Sequence, residues 1–157
     1  MTPAKTMNIL SLIESEHRQI EQLFAKLETA QNKELYTCFN QLYQALNLHS
    51  RAEEIVFYKA MQEYEETKKY VRESEEEHRK ANTLLEEIQE FKPTDPEFKL
   101  KMNQLKKAIQ QHIQKEENQI FSAVRKYMNQ QQLAKLAQDF QRTKTKLEKE
   151  FDGAMTA

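Results

Sequence analysis

Two short stretches decide the fold of this chain: His49-Ser-Arg-Ala-Glu53 and His112-Ile-Gln-Lys-Glu116. In each stretch a glutamate follows a histidine by four residues, about one turn of an α-helix, so the two side chains point to the same side. A single pair of this kind is usually a local contact on a helix surface. Its repetition predicts a site to which two helices contribute alike, and two such pairs suggest a dinuclear metal site.

The composition favours an all-α protein. The 157 residues include one Gly, three Pro and no Trp, so few residues interrupt helices. This length is typical of one domain that buries its own core. We therefore predict a single domain over residues 1–157.

Charge and hydropathy exclude several classes of partner. The chain has 24 basic and 25 acidic residues, and a net charge of −1 gives no general attraction to nucleic acid or to an anionic membrane. No apolar run reaches the ~20 residues of a membrane span, and the apolar segment 8–13 is too short for a signal peptide. The single Cys38 cannot form an intramolecular disulfide. We expect a cytoplasmic protein, a monomer or weak homodimer, without nucleic acid or membrane partners.

Apolar residues recur at steps of three and four, which predicts amphipathic helices facing a common core. The helices are predicted at about 8–30, 33–64, 67–91, 96–128 and 130–151. The clearest boundary is Lys92-Pro-Thr-Asp-Pro96, where Pro93 stops one helix, Asp95 is predicted to cap the next, and Pro96 takes its first position. The first four helices, about 8–128, predict an antiparallel up-down-up-down bundle, with an additional C-terminal helix packed outside it.

All four histidines lie on the apolar faces of these helices. His17 precedes His49 by 32 residues, and His78 precedes His112 by 34. The turns predicted near residues 33, 64 and 95 lie midway between successive histidines, so the imidazoles should meet in one layer of the bundle. One histidine on an apolar face is more often a hydrogen-bonded core residue, but four at one height favour a metal site.

The predicted layer combines these four imidazoles with the Glu53 and Glu116 carboxylates. Such groups are costly to bury without partners, and two cations would offset that cost. A mixture of nitrogen and carboxylate donors suits iron better than magnesium or calcium. The two glutamates are placed to bridge the metals. With two histidines, two carboxylate oxygens and a bridging oxide or hydroxide, each metal has five ligands and one open position.

These residues resemble the hemerythrin-like, or HHE, cation-binding domains, in which a His and a His-x-x-x-Glu occur twice in a four-helix bundle. The resemblance covers roughly residues 8–128, and its local contexts include Glu16-His17-Arg18 and Glu77-His78-Arg79. It implies two iron ions, with four terminal histidines and two bridging glutamates. The implied metal ligands are His17, His49, Glu53, His78, His112 and Glu116.

The resemblance implies binding of O2 or NO at an open iron position, for sensing, buffering or stress response. Oxygen-carrying hemerythrins add a histidine where this chain has Ser74, and they commonly have Asp where Glu116 stands, so oxygen transport is less favoured. The alternative is a redox enzyme that decomposes peroxide or reduces nitric oxide. Iron storage and a zinc-binding helical scaffold rank below both.

Several further residues have an ordinary structural interpretation. Glu75 is three residues before His78, but its acidic neighbours favour a solvated face over an additional ligand. Tyr43, Tyr58 and Tyr127 are interpreted as core aromatics in preference to partners of a bound ligand. Residues 125–150 carry seven basic and three acidic side chains, which indicates a solvated face.

Overall fold

The computed structural model describes the backbone of residues 7–156 and the side chains of residues 7–152, and this part of the chain forms helices and turns without a strand. Five long helices follow one another: α1 (Ile9–Thr29), α2 (residues 33–61), α3 (Val71–Gln89), α4 (residues 96–127) and α5 (Gln130–Thr156). The predicted all-α class is confirmed. Residues 1–6 and 157 of the predicted domain lie outside the described residues.

Two of these helices change type at the repeated motif. Helix α2 is α-helical over Lys33–Ala52, π-helical over Glu53–Tyr58 and α-helical again over Lys59–Met61. Helix α4 repeats the pattern with Pro96–Lys115, Glu116–Ile120 and Phe121–Tyr127. Each π-helical segment begins at the motif glutamate, and such segments are frequent at functional sites.

The turns correct several predicted boundaries. Helix α2 ends at residue 61, three residues early, and a short helical turn, Glu65–Lys68, precedes the start of α3 at Val71. The buried Thr67 hydroxyl donates to the Met61 carbonyl at 2.5 Å and holds this connection together. At the next turn Pro96 takes the predicted position, but the Asp95 side chain does not cap the helix. It accepts instead from the Lys92 backbone N–H at 3.0 Å, so the predicted side-chain cap is wrong.

The helices pack in the predicted antiparallel order. Helix α1 packs against α2, α3 packs against α4, and α5 lies across α1 and α2. The molecule is therefore a four-helix bundle with an additional C-terminal helix. Among the described residues, no helix is both long enough and apolar enough to cross a membrane.

The apolar core is divided into two clusters. Cluster A includes Ile20, Leu42 and Leu105, and cluster B includes Ile13 and Phe57. The sequence positions of the predicted metal ligands fall between the residues of the two clusters, so a polar layer separates them. Helix α5 contributes four buried side chains to cluster B and is part of the core: Leu133, Ala137, Phe140 and Leu147.

Candidate metal centre

The bundle brings the six predicted ligand residues together in its interior. None of the six is more than 5% exposed: His17, His49, Glu53, His78, His112 and Glu116. Each comes from the inward face of its helix, in the layer between clusters A and B. Glu75 lies on the exposed face of α3 and is outside this group.

The donor atoms form two groups, each spanning no more than 4.8 Å. The first group is made by His17, His49, Glu53 and Glu116, and the second by Glu53, His78 and His112. Glu53 belongs to both groups. Two adjacent positions for a cation therefore share at least one carboxylate.

Each carboxylate directs its two oxygens to different histidines. Glu116 places Oε1 3.1 Å from His17 Nε2 and Oε2 3.5 Å from His112 Nε2. Glu53 places Oε1 3.2 Å from His78 Nε2 and Oε2 3.7 Å from His49 Nε2. Both side chains thus extend between the two groups, as a bridging carboxylate must.

The first group leaves four buried polar atoms without a hydrogen-bond partner: His17 Nε2, His49 Nε2, Glu53 Oε2 and Glu116 Oε1. Such atoms are rare in native structures, because an unsatisfied buried donor or acceptor is costly. All four are atoms of the kind that bind metal ions, and one cation would satisfy them together. The residues present therefore fit a metal ion.

The opposite nitrogen of every histidine is held by a second glutamate. His17 Nδ1 and His112 Nδ1 each lie 2.7 Å from a carboxylate oxygen, of Glu117 and Glu77 respectively. A carboxylate at Nδ1 fixes the tautomer with the proton on that nitrogen and leaves the Nε2 lone pair for a metal. The remaining two pairs are His49 with Glu16, at 2.7 Å, and His78 with Glu54, at 3.2 Å.

Tyr58 reaches the second group from the π-helical segment of α2. Its hydroxyl lies 2.8 Å from Glu53 Oε1 and 2.7 Å from Glu116 Oε2. It is also 3.4 Å from Nε2 of both His78 and His112. A phenol has only one proton to donate, so it cannot satisfy both carboxylates. Unlike those of the first group, the ligand atoms of Glu53, His78 and His112 that form the second group each have a polar partner, which is the Tyr58 hydroxyl or a neighbouring ligand atom.

Comparison with known proteins identifies this arrangement. A sequence model of the hemerythrin HHE cation binding domain matches residues 8–124. The chain belongs to this family. Similar HHE-domain proteins include an uncharacterized hemerythrin-like protein of Schizosaccharomyces pombe, which is 27% identical over 143 residues, 89% of this chain and 70% of that protein.

Two further relatives place this HHE domain in context. A protein named DNA nickase from Nostoc sp. is 29% identical over 151 residues, 96% of this chain, but the chain spans only 43% of that protein's length. The crystal structure of an HHE cation binding domain-containing protein from Mycobacterium kansasii superposes with a TM-score of 0.80 at 20% identity, covering 88% of this chain and 86% of the other. This second likeness supports the shared fold.

The electrostatics of the HHE site favour positive charge at its centre. Burial disfavours the imidazolium form of His78, but hydrogen bonds to Glu53 and Glu54 outweigh it and raise the pKa of His78 to about 9. Burial also disfavours the imidazolium forms of His17 and His112. Interaction with nearby carboxylates, mainly that of Glu116, outweighs this effect and raises the pKa of both residues. The carboxylates thus stabilise positive charge at these imidazoles, and metal binding competes with protonation there.

Burial also acts on the acidic groups of the site. It opposes ionisation of Glu116, yet the contacts of this carboxyl with Glu53 and with the imidazoles of His112 and His17 hold its pKa well below the usual range. For Tyr58, burial and the two nearby carboxylates raise the pKa well above 10. Tyr58 is therefore a neutral phenol that acts as a donor, beside a carboxylate that is ionised.

Sequence reasoning underrated some residues that the structure places at the site. Tyr58 was interpreted as core packing, because buried aromatics usually have that role. The four outer glutamates were detectable in principle, since Glu16, Glu54, Glu77 and Glu117 each adjoin a predicted ligand. Tyr43 is partly buried in cluster A. Tyr127 is 39% exposed, and its ring lies tilted beside that of Tyr64 with 5.8 Å between the centroids, so its predicted core position is wrong.

Ser74 takes a buried position one turn before His78. It is fully buried, and its hydroxyl has no hydrogen-bond partner. Because Ser74 and His78 lie on the same inward face of α3, this hydroxyl is a candidate donor to a small molecule or water beside the second histidine group.

Proposed function

We propose that this protein holds two iron ions, bridged by Glu53 and Glu116, and binds O2 or NO at an open position of the pair. The observation that carries the proposal is the placement of each carboxylate, with one oxygen toward His17 or His49 and the other toward His78 or His112. A structural core pair would need only one such contact. Two carboxylates that each face two histidine groups suit two adjacent cations.

The donor set supports iron as the metal. Four neutral imidazole nitrogens with carboxylate oxygens suit iron, whereas magnesium and calcium prefer oxygen ligands throughout. Bound ferrous iron would supply the electrons that hold a diatomic ligand. The chain orients its histidines through the outer glutamates and excludes bulk water by burying every donor of the site.

Two protein hydroxyls are positioned to act on a bound ligand. Tyr58 holds a proton between the two carboxylates, and Ser74 offers a hydroxyl that the protein leaves unsatisfied. Neither replaces the additional histidine of oxygen-carrying hemerythrins. We therefore place this protein among sensors or buffers of diatomic molecules and not among oxygen transporters.

The direct test is an anaerobic optical titration of the iron-loaded, reduced protein with O2 and with NO. We expect saturable spectral changes that reverse when the gas is removed, together with two irons per chain by metal analysis. Glu116→Ala should lose the coupled iron pair, because it removes one of the two bridges. Glu86→Ala, on the exposed face of α3, is the matched control and should behave as the wild type.

Three results would contradict the proposal. Immediate irreversible oxidation by O2, without a reversible complex with either gas, would exclude ligand buffering. A coupled pair that persists in Glu116→Ala would exclude the bridging role. Protein that retains one zinc per chain and takes up no iron would favour the helical scaffold.

A second candidate function is a redox enzyme, and Tyr58 is the observation that favours it. Its phenol proton lies at the site, where it can be delivered to a bound oxygen atom. Disproportionation of two peroxide molecules to water and O2 needs no external reductant, whereas reduction of NO needs one. Repeated additions of H2O2, or of NO with a reductant, test for turnover, which Tyr58→Phe should slow by about 10²-fold or more if the hydroxyl is the acid. A single stoichiometric reaction would exclude this function.

The nickase relative raises DNA as a partner, and we propose that this chain has none. Basic and acidic residues nearly balance, and on α5 the exposed Arg142 is 3.6 Å from Asp139. The chain also covers less than half of the nickase. Incubation of iron-loaded protein with supercoiled plasmid, in low salt, should give neither a mobility shift nor nicked circles. Either product would overturn this expectation.

A further inference from the structure

Helix α5 lies beyond the residues that match the family, yet it reaches the metal centre. The Lys144 ammonium group forms an ion pair with Glu16 Oε2, and Glu16 Oε1 lies 2.7 Å from His49 Nδ1. Both side chains are mostly buried, with Glu16 only 12% exposed. One side chain of α5 is thus separated from a predicted metal ligand by a single carboxylate.

A lysine also lies near the corresponding carboxylate in the other half of the bundle, which is formed by α3 and α4. Glu77 holds His112 as Glu16 holds His49, and its second oxygen lies 3.8 Å from Lys115 Nζ. Lys115 belongs to the motif of α4 itself, three residues after His112. The matching residue three after His49 is Ala52, which is fully buried and carries no charge.

Helix α2 therefore has no cation at the position that corresponds to Lys115. Lys144 supplies it from α5 instead. Each of His49 and His112 thus has a lysine near its outer carboxylate. Lys144 of α5 contacts Glu16 in one half, and Lys115 of the motif lies near Glu77 in the other, although its nearer partner is Glu73 Oε1 at 2.5 Å.

Lys144 also borders the space that reaches His49. A cavity of about 220 Å³ lies between α1, α2 and α5, and its lining includes Glu16, His49 and Lys144. A neighbouring cavity of about 370 Å³ shares Glu16 and Lys144 but does not include His49. The ion pair thus forms part of the wall of both cavities, and His49 lines the first of them.

We propose that Lys144 is a positioning residue of the metal centre, which fixes Glu16 and through it His49, and which thereby slows loss of the metal. This rests on the proposed metal site, but it does not depend on which gas that site binds. It makes α5 a functional part of the centre in addition to its packing role.

The test compares Lys144→Met with Lys146→Met, an exposed lysine two residues further along the same helix. The iron-loaded proteins are mixed with excess chelator, and the release of iron is followed by absorbance. The spectrum of the iron centre that remains is recorded in the same experiment. Lys144→Met should release iron about tenfold faster, the lower end of the effect of losing an outer-sphere partner. Lys146→Met should match the wild type, and Lys144→Arg should restore most of the retention.

A second measurement separates positioning from general loosening. The metal-free forms of both methionine variants should unfold at the same urea concentration. In a double-mutant cycle, Glu16→Gln alone should speed release, and adding Lys144→Met should add little, because both act through one contact. Additive effects would show that Lys144 acts independently of Glu16 and would overturn the proposal.

The outcomes distinguish this proposal from the proposed function. Equal release from Lys144→Met and Lys146→Met would overturn it even if the wild type binds O2 or NO. Faster release from Lys144→Met alone, rescued by arginine, would support it even if neither gas binds.

Discussion

Tyr58 makes the two halves of the centre chemically different. The second motif has Phe121 at the corresponding position, five residues after Glu116, and that ring is buried without a hydroxyl. An α-helix turns about 100° per residue, so side chains five apart would diverge by about 140°. The π-helical segment lessens that divergence and brings the Tyr58 hydroxyl within 2.8 Å of Glu53. The proton donor is therefore restricted to the His78 and His112 side.

His78 gives the metal-free protein a measurable dependence on pH. Its pKa is raised from the ordinary 6.5 to about 9 in the folded state. The folded protein thus binds the proton more tightly than the unfolded chain, so this stabilisation is fully present below about pH 6.5 and lost as pH rises through 9. Chemical denaturation should show the free energy of unfolding falling by on the order of 3 kcal/mol across that window.

Two controls accompany this measurement. The iron-loaded protein should lack the loss, because the metal has already displaced the proton. Metal-free His78→Gln should show a shallower profile than the metal-free wild type. A flat profile for the metal-free wild type would mean that His78 does not carry the proton.

At the scale of elements, the order and inward faces of the helices follow from the apolar periodicity. The motif spacing also predicted which six side chains converge. Nothing in the sequence indicated the π-helical segments, because residues 53–58 and 116–120 contain no Gly or Pro and the apolar periodicity of an α-helix continues through them. Local sequence therefore does not predict the change of helix type at Glu53 and Glu116. The same holds for Lys144, whose partner Glu16 lies 128 residues away.

The packing of α5 predicts the effect of a single truncation. Phe140 is 1% exposed and belongs to cluster B, together with Phe57 and Phe121 of the bundle. Phe140→Ala should lower the free energy of unfolding by about 3–5 kcal/mol, since it removes buried surface and leaves a cavity. Urea denaturation of the metal-free protein measures this directly. Leu100→Ala, at a side chain that is 53% exposed, should change it by less than about 0.5 kcal/mol. A loss below about 1 kcal/mol for Phe140→Ala would show that α5 is only loosely attached.

For the molecule as a whole, the polar layer of predicted metal ligands determines how the two apolar clusters are joined. Clusters A and B do not form one continuous core, and the four main helices pass from one to the other through the polar layer. Within that layer, one buried atom each of His17, His49, Glu53 and Glu116 has no hydrogen-bond partner in the protein. Metal binding satisfies them and should stabilise both halves at once.

Iron removal should therefore lower the thermal stability of the entire bundle in one cooperative transition. Metal at a thousandfold excess over its Kd contributes about 4 kcal/mol, which for a chain of this size corresponds to a Tm change of about 8–16 °C. Circular dichroism of loaded and chelated protein measures the shift. Glu53→Ala, which removes the carboxylate common to both groups, should show almost no metal-dependent change in Tm.

If iron raised the Tm of Glu53→Ala as much as that of the wild type, the stabilising metal would lie elsewhere on the molecule. If loaded wild type melted in two steps, the metal layer would not couple the clusters. If the protein melts in a single transition, and iron raises its Tm only when Glu53 is present, then the proposed metal site is also the layer that joins clusters A and B.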